Sequence, residues 1–304
     1  MNLNDLDKSA NKLINLYKST YRYILSEIQR KIDLGLSDRH QRTMLKEIQS
    51  ELKKLDEEAF KWSHNVLPEY YKLGISTTDI DVALLSDISL LGDSINLNIL
   101  HRKAIENAAN DLYLDLAKNT FYMEAEAKRI IRNNASEIIN RSIITGESQK
   151  KIKSELRNQL QKDGIHSFID SSNKRWKIDK YTDMAVRTKS RILHNDGTLN
   201  RLKEYQIRYP ANPNFDYVQI SSHGAEDWCR NFEGTVWSIS GRSQEYPPVS
   251  SLPNGYSTLH PNCKHVFLPY IPALRGKGDI VSDSYIGKSV KELNKQDYHI
   301  RKAS

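Results

Sequence analysis

Apolar residues recur every three or four positions through the first half of this chain and every second position in short runs near its far end. Two kinds of secondary structure must therefore share it. Ile14, Tyr17, Tyr21, Ile24, Ile28 and Ile32 set the helical rhythm, and Gly35 and Ser37 supply a stop and an N-cap. Leu45, Ile48, Leu52, Leu55, Ala59 and Trp62 resume it. Two helices of similar length joined by a short polar link should fold back as an antiparallel pair. Pro68 predicts a shorter helix ended by Gly74, with Thr77 or Thr78 capping the next. Residues 96–145 read as helix with a break near Asn119 and Thr120, and with Tyr113, Phe121 and Met123 facing the core. Ile152, Leu156 and Leu160 make one more amphipathic helix before Gly164.

Beyond it the pattern changes. Phe168 and Ile169 alternate against Trp176 and Ile178 around a turn at Ser171, Ser172, Asn173 and Lys174, which predicts a hairpin. A helix opens near Tyr181, and Asn195, Asp196 and Gly197 interrupt its pattern, as a kink or a capped turn would. Strands follow at 216–220, 235–239 and 266–268. The fold class is α+β, in three parts: a helical hairpin or bundle region over 1–164, a small α+β domain over 165–275, and a flexible or partner-ordered tail over 276–304. A length of 304 residues suits about two domains.

Both cysteines fall in the α+β part. His223, Cys229, His260, Cys263 and His265 crowd into 43 positions, at strand ends and in loops where side chains converge. A tetrahedral zinc shell of Cys229, Cys263 and His265 with His223 or His260 is stereochemically possible, although no C-x-x-C knuckle is present. The other reading is two buried small hydrophobes or a neighbouring thiol pair, with Pro261 and Asn262 shaping a turn. A hydrolase using Cys229 as nucleophile would need one of the histidines as base and an oxyanion donor, which Gly234 or Gly241 could supply. A metal-dependent nuclease built on H-P-N-C-K-H would want a hairpin-helix frame, whereas the chain runs on into P-Y-I-P.

Charge is uneven. Residues 141–208 hold 16 Lys or Arg against eight Asp or Glu, a net of +8, more than the +7 of the whole chain. Lys150, Lys151, Lys153 and Arg157 lead that window. It suits a polyanion such as double-stranded DNA, or an acidic neighbour, and equally a solvated helical face. Two cysteines in so long a chain argue against a disulfide scaffold and for assembly in a reducing cytoplasm. The N-terminus has no basic region leading into an apolar core, so no secretory signal is expected, and no run of 18 apolar residues occurs.

The segment from Phe168 to Pro272 resembles the phage minor capsid protein family, the head morphogenesis proteins of the MuF type. The resemblance rests on Ile220, Ser221 and His223, then Cys229, then Phe232, Glu233, Gly234 and Val236. It continues through Ser238, Ser240 and Gly241, Tyr246 and Pro247, the H-P-N-C-K-H run at 260–265, and the P-Y-I-P of 269–272. Phe232 stands where Trp is usual and Lys264 where Arg is usual. The resemblance implies a virion structural protein rather than an enzyme. Its implied partners are portal and major capsid or scaffolding proteins, with packaged DNA as a further contact, and neither a membrane nor a small-molecule substrate is implied.

Overall fold

The computed structural model describes residues 2–34, 38–85, 97–144, 148–163, 166–169 and 175–303. Five helices come first: α1 (Leu3–Leu34), α2 (Asp38–Asn65), α3 (Leu67–Leu85), α4 (Ile99–Ile144) and α5 (Gln149–Asp163). The hairpin β1 (His166–Ile169) and β2 (Arg175–Lys177) leads into α6 (Ile178–Arg208). Three strands then form one sheet, β3 (Tyr217–Ile220), β4 (Val236–Ser238) and β5 (Phe267–Pro269), before the short α7 (Pro272–Arg275) and α8 (Val290–Ala303). The α+β class holds. The expected stop and cap at Gly35 and Ser37, the hairpin turn at 171–174, and Gly164 lie outside the described residues.

The chain divides into two compact units that interleave along the sequence. One takes residues 8–63 and 110–186, the other 1–7, 64–109 and 187–304. In the first, the spacing of three and four does what it predicts: Ile14, Tyr17, Ile24, Ile28 and Ile32 of α1 and Ile48, Leu52, Leu55 and Ala59 of α2 are buried. Trp62 near the end of α2 donates to Ser9 Oγ near the start of α1 at 3.1 Å, so the pair is antiparallel. α4 joins them, with Tyr17 Oη donating to the Leu116 carbonyl at 3.2 Å.

Several breaks expected from sequence do not occur. α4 runs unbroken through Asn119 and Thr120 because both find internal partners: Asn119 Nδ2 donates to Thr182 Oγ1 at 3.3 Å, and Thr120 Oγ1 back-bonds to Leu116 O at 3.2 Å. Phe121, expected in the core, is 66 % exposed, whereas Met123 is buried. α3 continues through Gly74, and α6 continues through Asn195, Asp196 and Gly197. Both glycines are contact points rather than stops. A Cβ on Gly74 would sit 2.2 Å from the His194 carbonyl oxygen, and one on Gly197 would sit 2.3 Å from that of Tyr71.

That crossing belongs to the second unit, whose sheet has the order β4-β3-β5, antiparallel throughout. Val218 faces Trp237 on one side and Pro269 on the other. Inward residues Val218, Ile220, Trp237 and Phe267 meet Leu199, Leu202 and Tyr205 of α6 in one core. Trp237 stacks on Phe232 at 5.9 Å between ring centroids, its indole N–H satisfied by Thr235 Oγ1 at 2.8 Å. β5 is an edge strand, and α6 covers its open side: the Phe267 N–H donates to Asn195 Oδ1 at 2.8 Å.

The same core takes Val82 from α3, and Val281 and Leu293 from the segment after Arg275. The segment expected to be flexible or partner-ordered is thus laid against its own unit. Few apolar residues suffice because they land in one place. α8 is also fixed by a capping box that the sequence carries in S-V-K-E: Ser289 N–H donates to Glu292 Oε2 at 2.8 Å and the Glu292 N–H returns to Ser289 Oγ at 3.4 Å. Trp228 Nε1 donates to Asn294 Oδ1 at 2.9 Å.

His194, 3 % exposed in α6, gives the fold an acid limit. Burial lowers its pKa to about 4 from the ordinary 6.5. A histidine depressed in the folded state takes up its proton more readily when unfolded, so stability falls as pH drops from 6.5 toward 4. Between pH 7 and pH 5 the loss should be on the order of 2 kcal/mol. Urea titrations at the two pH values check it, and His194→Gln should flatten the difference.

Candidate functional site

The loop after β3 and the turn before β5 bring the cysteines and histidines together. Asp227 caps the 3-10 helix Trp228–Phe232, its Oδ1 accepting from the Cys229 N–H at 3.1 Å, which fixes where Cys229 points. On the other side, Cys263 N–H donates to His260 O at 3.2 Å, closing the turn His-Pro-Asn-Cys. Asn262 holds a left-handed φ of 66° in that turn, and its N–H donates to Thr188 Oγ1 at 2.7 Å.

Ligand-type atoms of Cys229, His260 and Cys263 lie within 4.8 Å of one another. His265 Nδ1 is 3.1 Å from Cys263 Sγ, and its Nε2 is 3.2 Å from Glu233 Oε1. His223 stands apart from the sulfurs: its Nδ1 is 3.8 Å from Glu233 Oε1 and its ring lies over His265 at 4.2 Å between centroids. Of the five residues picked out by sequence, four converge on the sulfurs and His223 forms a second group with Glu233 and His265. Both cysteines are free thiols and buried.

Asp227 and Glu233, which are not among the five Cys and His residues picked out by sequence, complete the site. The signals were present, as an N-cap two residues before the cysteine and as the E-G step. Glu233 Oε1 accepts from the backbone N–H groups of His223 and Ala225, each at 3.0 Å, which folds the loop around it. Burial works against its charge, but those N–H groups and then His265 hold the carboxyl down at about 2. The S-x-S-G step also has a physical cause. Asp216 accepts from Ser238 Oγ at 2.7 Å, the Ser240 N–H at 2.8 Å and Ser240 Oγ at 2.9 Å, pinning the exit of β4.

The sulfurs differ. Cys229 is pushed up by its hydrogen bond toward Cys263, by burial and by Asp227, whose Oδ1 is 2.6 Å from its Sγ. Cys263 is held down by that same bond from Cys229 and by the two imidazoles. Burial opposes charge on His260 and His265, yet the neighbouring Cys263 sulfur raises both. A cleft of about 500 Å³ opens here, lined by His223, Ala225, Asp227, Cys229, His260 and Lys264. Both sulfurs are buried, Cys229 being 3 % and Cys263 2 % exposed. Burial of both thiols suits holding two loops together better than nucleophilic attack.

The basic residues lie elsewhere, on α5. Ile152, Leu156 and Leu160 are buried, and Lys150 and Lys151 are exposed while Lys153 and Arg157 are half-buried. Lys150, Lys153 and Arg157 share one face at spacings of three and four. Further along, Arg191 and Arg201 are paired internally. Arg191 Nη2 pairs with Asp7 Oδ2 at 2.5 Å, and Arg201 binds Asp79 at 2.6 Å and Glu204 at 3.0 Å.

Compared with known proteins, the chain is a phage structural protein. The family model described as phage minor capsid protein 2 matches residues 1–301, and the chain belongs to that family. Its role is that of a structural capsid component of a virion. No curated protein and no solved structure matches it at a significant level. Among the described residues, no helix is long and apolar enough to cross a membrane.

Proposed function

We propose that this chain is a minor head component of a tailed phage or prophage, assembled in the host cytoplasm with portal and major capsid or scaffolding protein, and that α5 touches packaged double-stranded DNA. The single observation behind the assembly role is the family match over residues 1–301. Mass spectrometry of purified mature particles tests it, with the chain expected in stable proportion to portal protein. Its absence from particles whose lysate contains it would overturn the reading.

The DNA contact rests on the basic face of α5. Such binding should be blind to sequence and weaken steeply with salt, because released counterions supply the free energy. Replacing Lys150, Lys151 and Lys153 with Glu should weaken duplex binding by about tenfold or more at 0.1 M salt and lower the salt slope by roughly three. Unchanged affinity in the triple variant would leave α5 as ordinary solvated surface.

The cysteine hydrolase reading is disfavoured by the burial of both thiols.

A further inference from the structure

We propose that Cys229, His260, Cys263 and His265 bind one zinc ion in a tetrahedral structural site that clamps the 3-10 helix after β3 to the turn before β5. Four observations converge. The ligand atoms of Cys229, His260 and Cys263 lie within 4.8 Å of one another, and His265 Nδ1 is 3.1 Å from Cys263 Sγ. Zn–S and Zn–N bonds of about 2.3 and 2.0 Å place the ligand atoms of a tetrahedron roughly 3.3–3.8 Å apart, so Cys229, His260 and Cys263 must draw together around the ion while His265 joins from its place beside Cys263.

The second observation is the orientation of His260. Its Nδ1 donates to the Pro261 carbonyl at 2.8 Å, leaving the Nε2 lone pair directed inward. That Nε2 is buried and makes no hydrogen bond; Asp227 Oδ2, 3.4 Å away, lacks the geometry for one. A buried imidazole nitrogen left without a partner costs free energy, and a metal satisfies it.

Third, His265 is oriented in the complementary way. Glu233 at 3.2 Å accepts the proton of Nε2, so Nδ1 presents its lone pair to the sulfurs. A carboxylate or carbonyl behind each metal-binding imidazole is the usual outer support of a zinc site, and here both are in place. Fourth, the two sulfurs lie within 4.8 Å of each other, and the Cys229 thiol donates to Asp227 Oδ1 at 2.6 Å. Binding replaces both thiol protons by the metal and releases them to solvent. Two thiolates, two neutral imidazoles and Zn²⁺ then sum to zero charge, which a buried site tolerates. Mixed sulfur and nitrogen donors in a tetrahedron select zinc over harder cations.

His223 falls outside the set and serves as the internal control. Full-length protein purified under reducing conditions should carry about one zinc per chain by elemental analysis, and native mass spectrometry should show the ion bound with loss of two protons. Cobalt(II) in its place should give the visible and thiolate charge-transfer absorption of a tetrahedral sulfur site. Cys263→Ser and His260→Ala should each lose the metal, whereas His223→Ala should keep it. If the first two variants do not fold, chelation of the wild type decides instead, with a fall in Tm restored by zinc. Folded, reduced wild-type protein that neither carries zinc nor takes it up overturns the proposal, as does undiminished zinc in folded Cys263→Ser. A Cys229–Cys263 disulfide recovered in metal-free protein does so too. The particle assignment stands or falls separately, on mass spectrometry of virions.

Discussion

Replacing Asn195 with Leu should destabilise the protein by about 4 kcal/mol, because two buried backbone groups lose their partner at once. Asn195 is fully buried; its Nδ2 donates to the Ser257 carbonyl at 2.7 Å and its Oδ1 accepts from the Phe267 N–H at 2.8 Å. Leucine has nearly the same size and a better helix propensity, so the side chain itself is no obstacle to α6. The cost comes from the open edge of β5, which is left facing an apolar side chain. Urea unfolding of the full chain measures it. A loss below about 1 kcal/mol would mean that water replaces the amide and that the edge is less enclosed than described. Asn195→Asp should recover only the Phe267 contact.

Gly197→Ala should cost about 3 kcal/mol, and its sign is the sharper test. In an ordinary helix interior, alanine in place of glycine stabilises by about 1 kcal/mol. Here the added methyl would meet the Tyr71 carbonyl oxygen at 2.3 Å and its Cα at 3.3 Å. Backbone cannot rotate away as a side-chain tip can, so α3 and α6 must separate. That separation also strains Thr198 Oγ1, 3.4 Å from Gly74 O. An increase in the urea midpoint would show that the two helices do not approach at these glycines. Gly74→Ala should behave alike, since its Cβ would meet His194 O at 2.2 Å.

These two residues also show where sequence reasoning reaches and where it stops. Periodicity located α1, α2 and the three strands, because a buried stripe leaves its spacing in the chain. It failed at Gly74, at Asn119 and Thr120, and at Asn195 to Gly197. All are residues that break isolated helices and here serve tertiary contacts. In N-D-G-T, Asn195 holds β5, Asp196 accepts from Ser257 Oγ, Gly197 admits Tyr71 and Thr198 reaches Gly74. Residue type announces a local preference, and only the partner across the fold decides whether it is obeyed. The candidate site was legible as a composition, five Cys and His residues in a short span. Choosing His260 over His223 was not, since the choice rests on which imidazole nitrogen faces the sulfurs.

The interleaving of the two units sets an order on synthesis. Everything in the unit of residues 8–63 and 110–186 has left the ribosome well before the other is complete. Asp7 must wait for Arg191, its partner 184 positions later, and the core around Trp237 waits for Leu293. At about 5–20 residues per second, that first delay is roughly ten to forty seconds. During it, the apolar face of α3 that carries Val82 has no sheet to cover it, so the nascent chain is most exposed to aggregation, and most in need of a chaperone, in this interval.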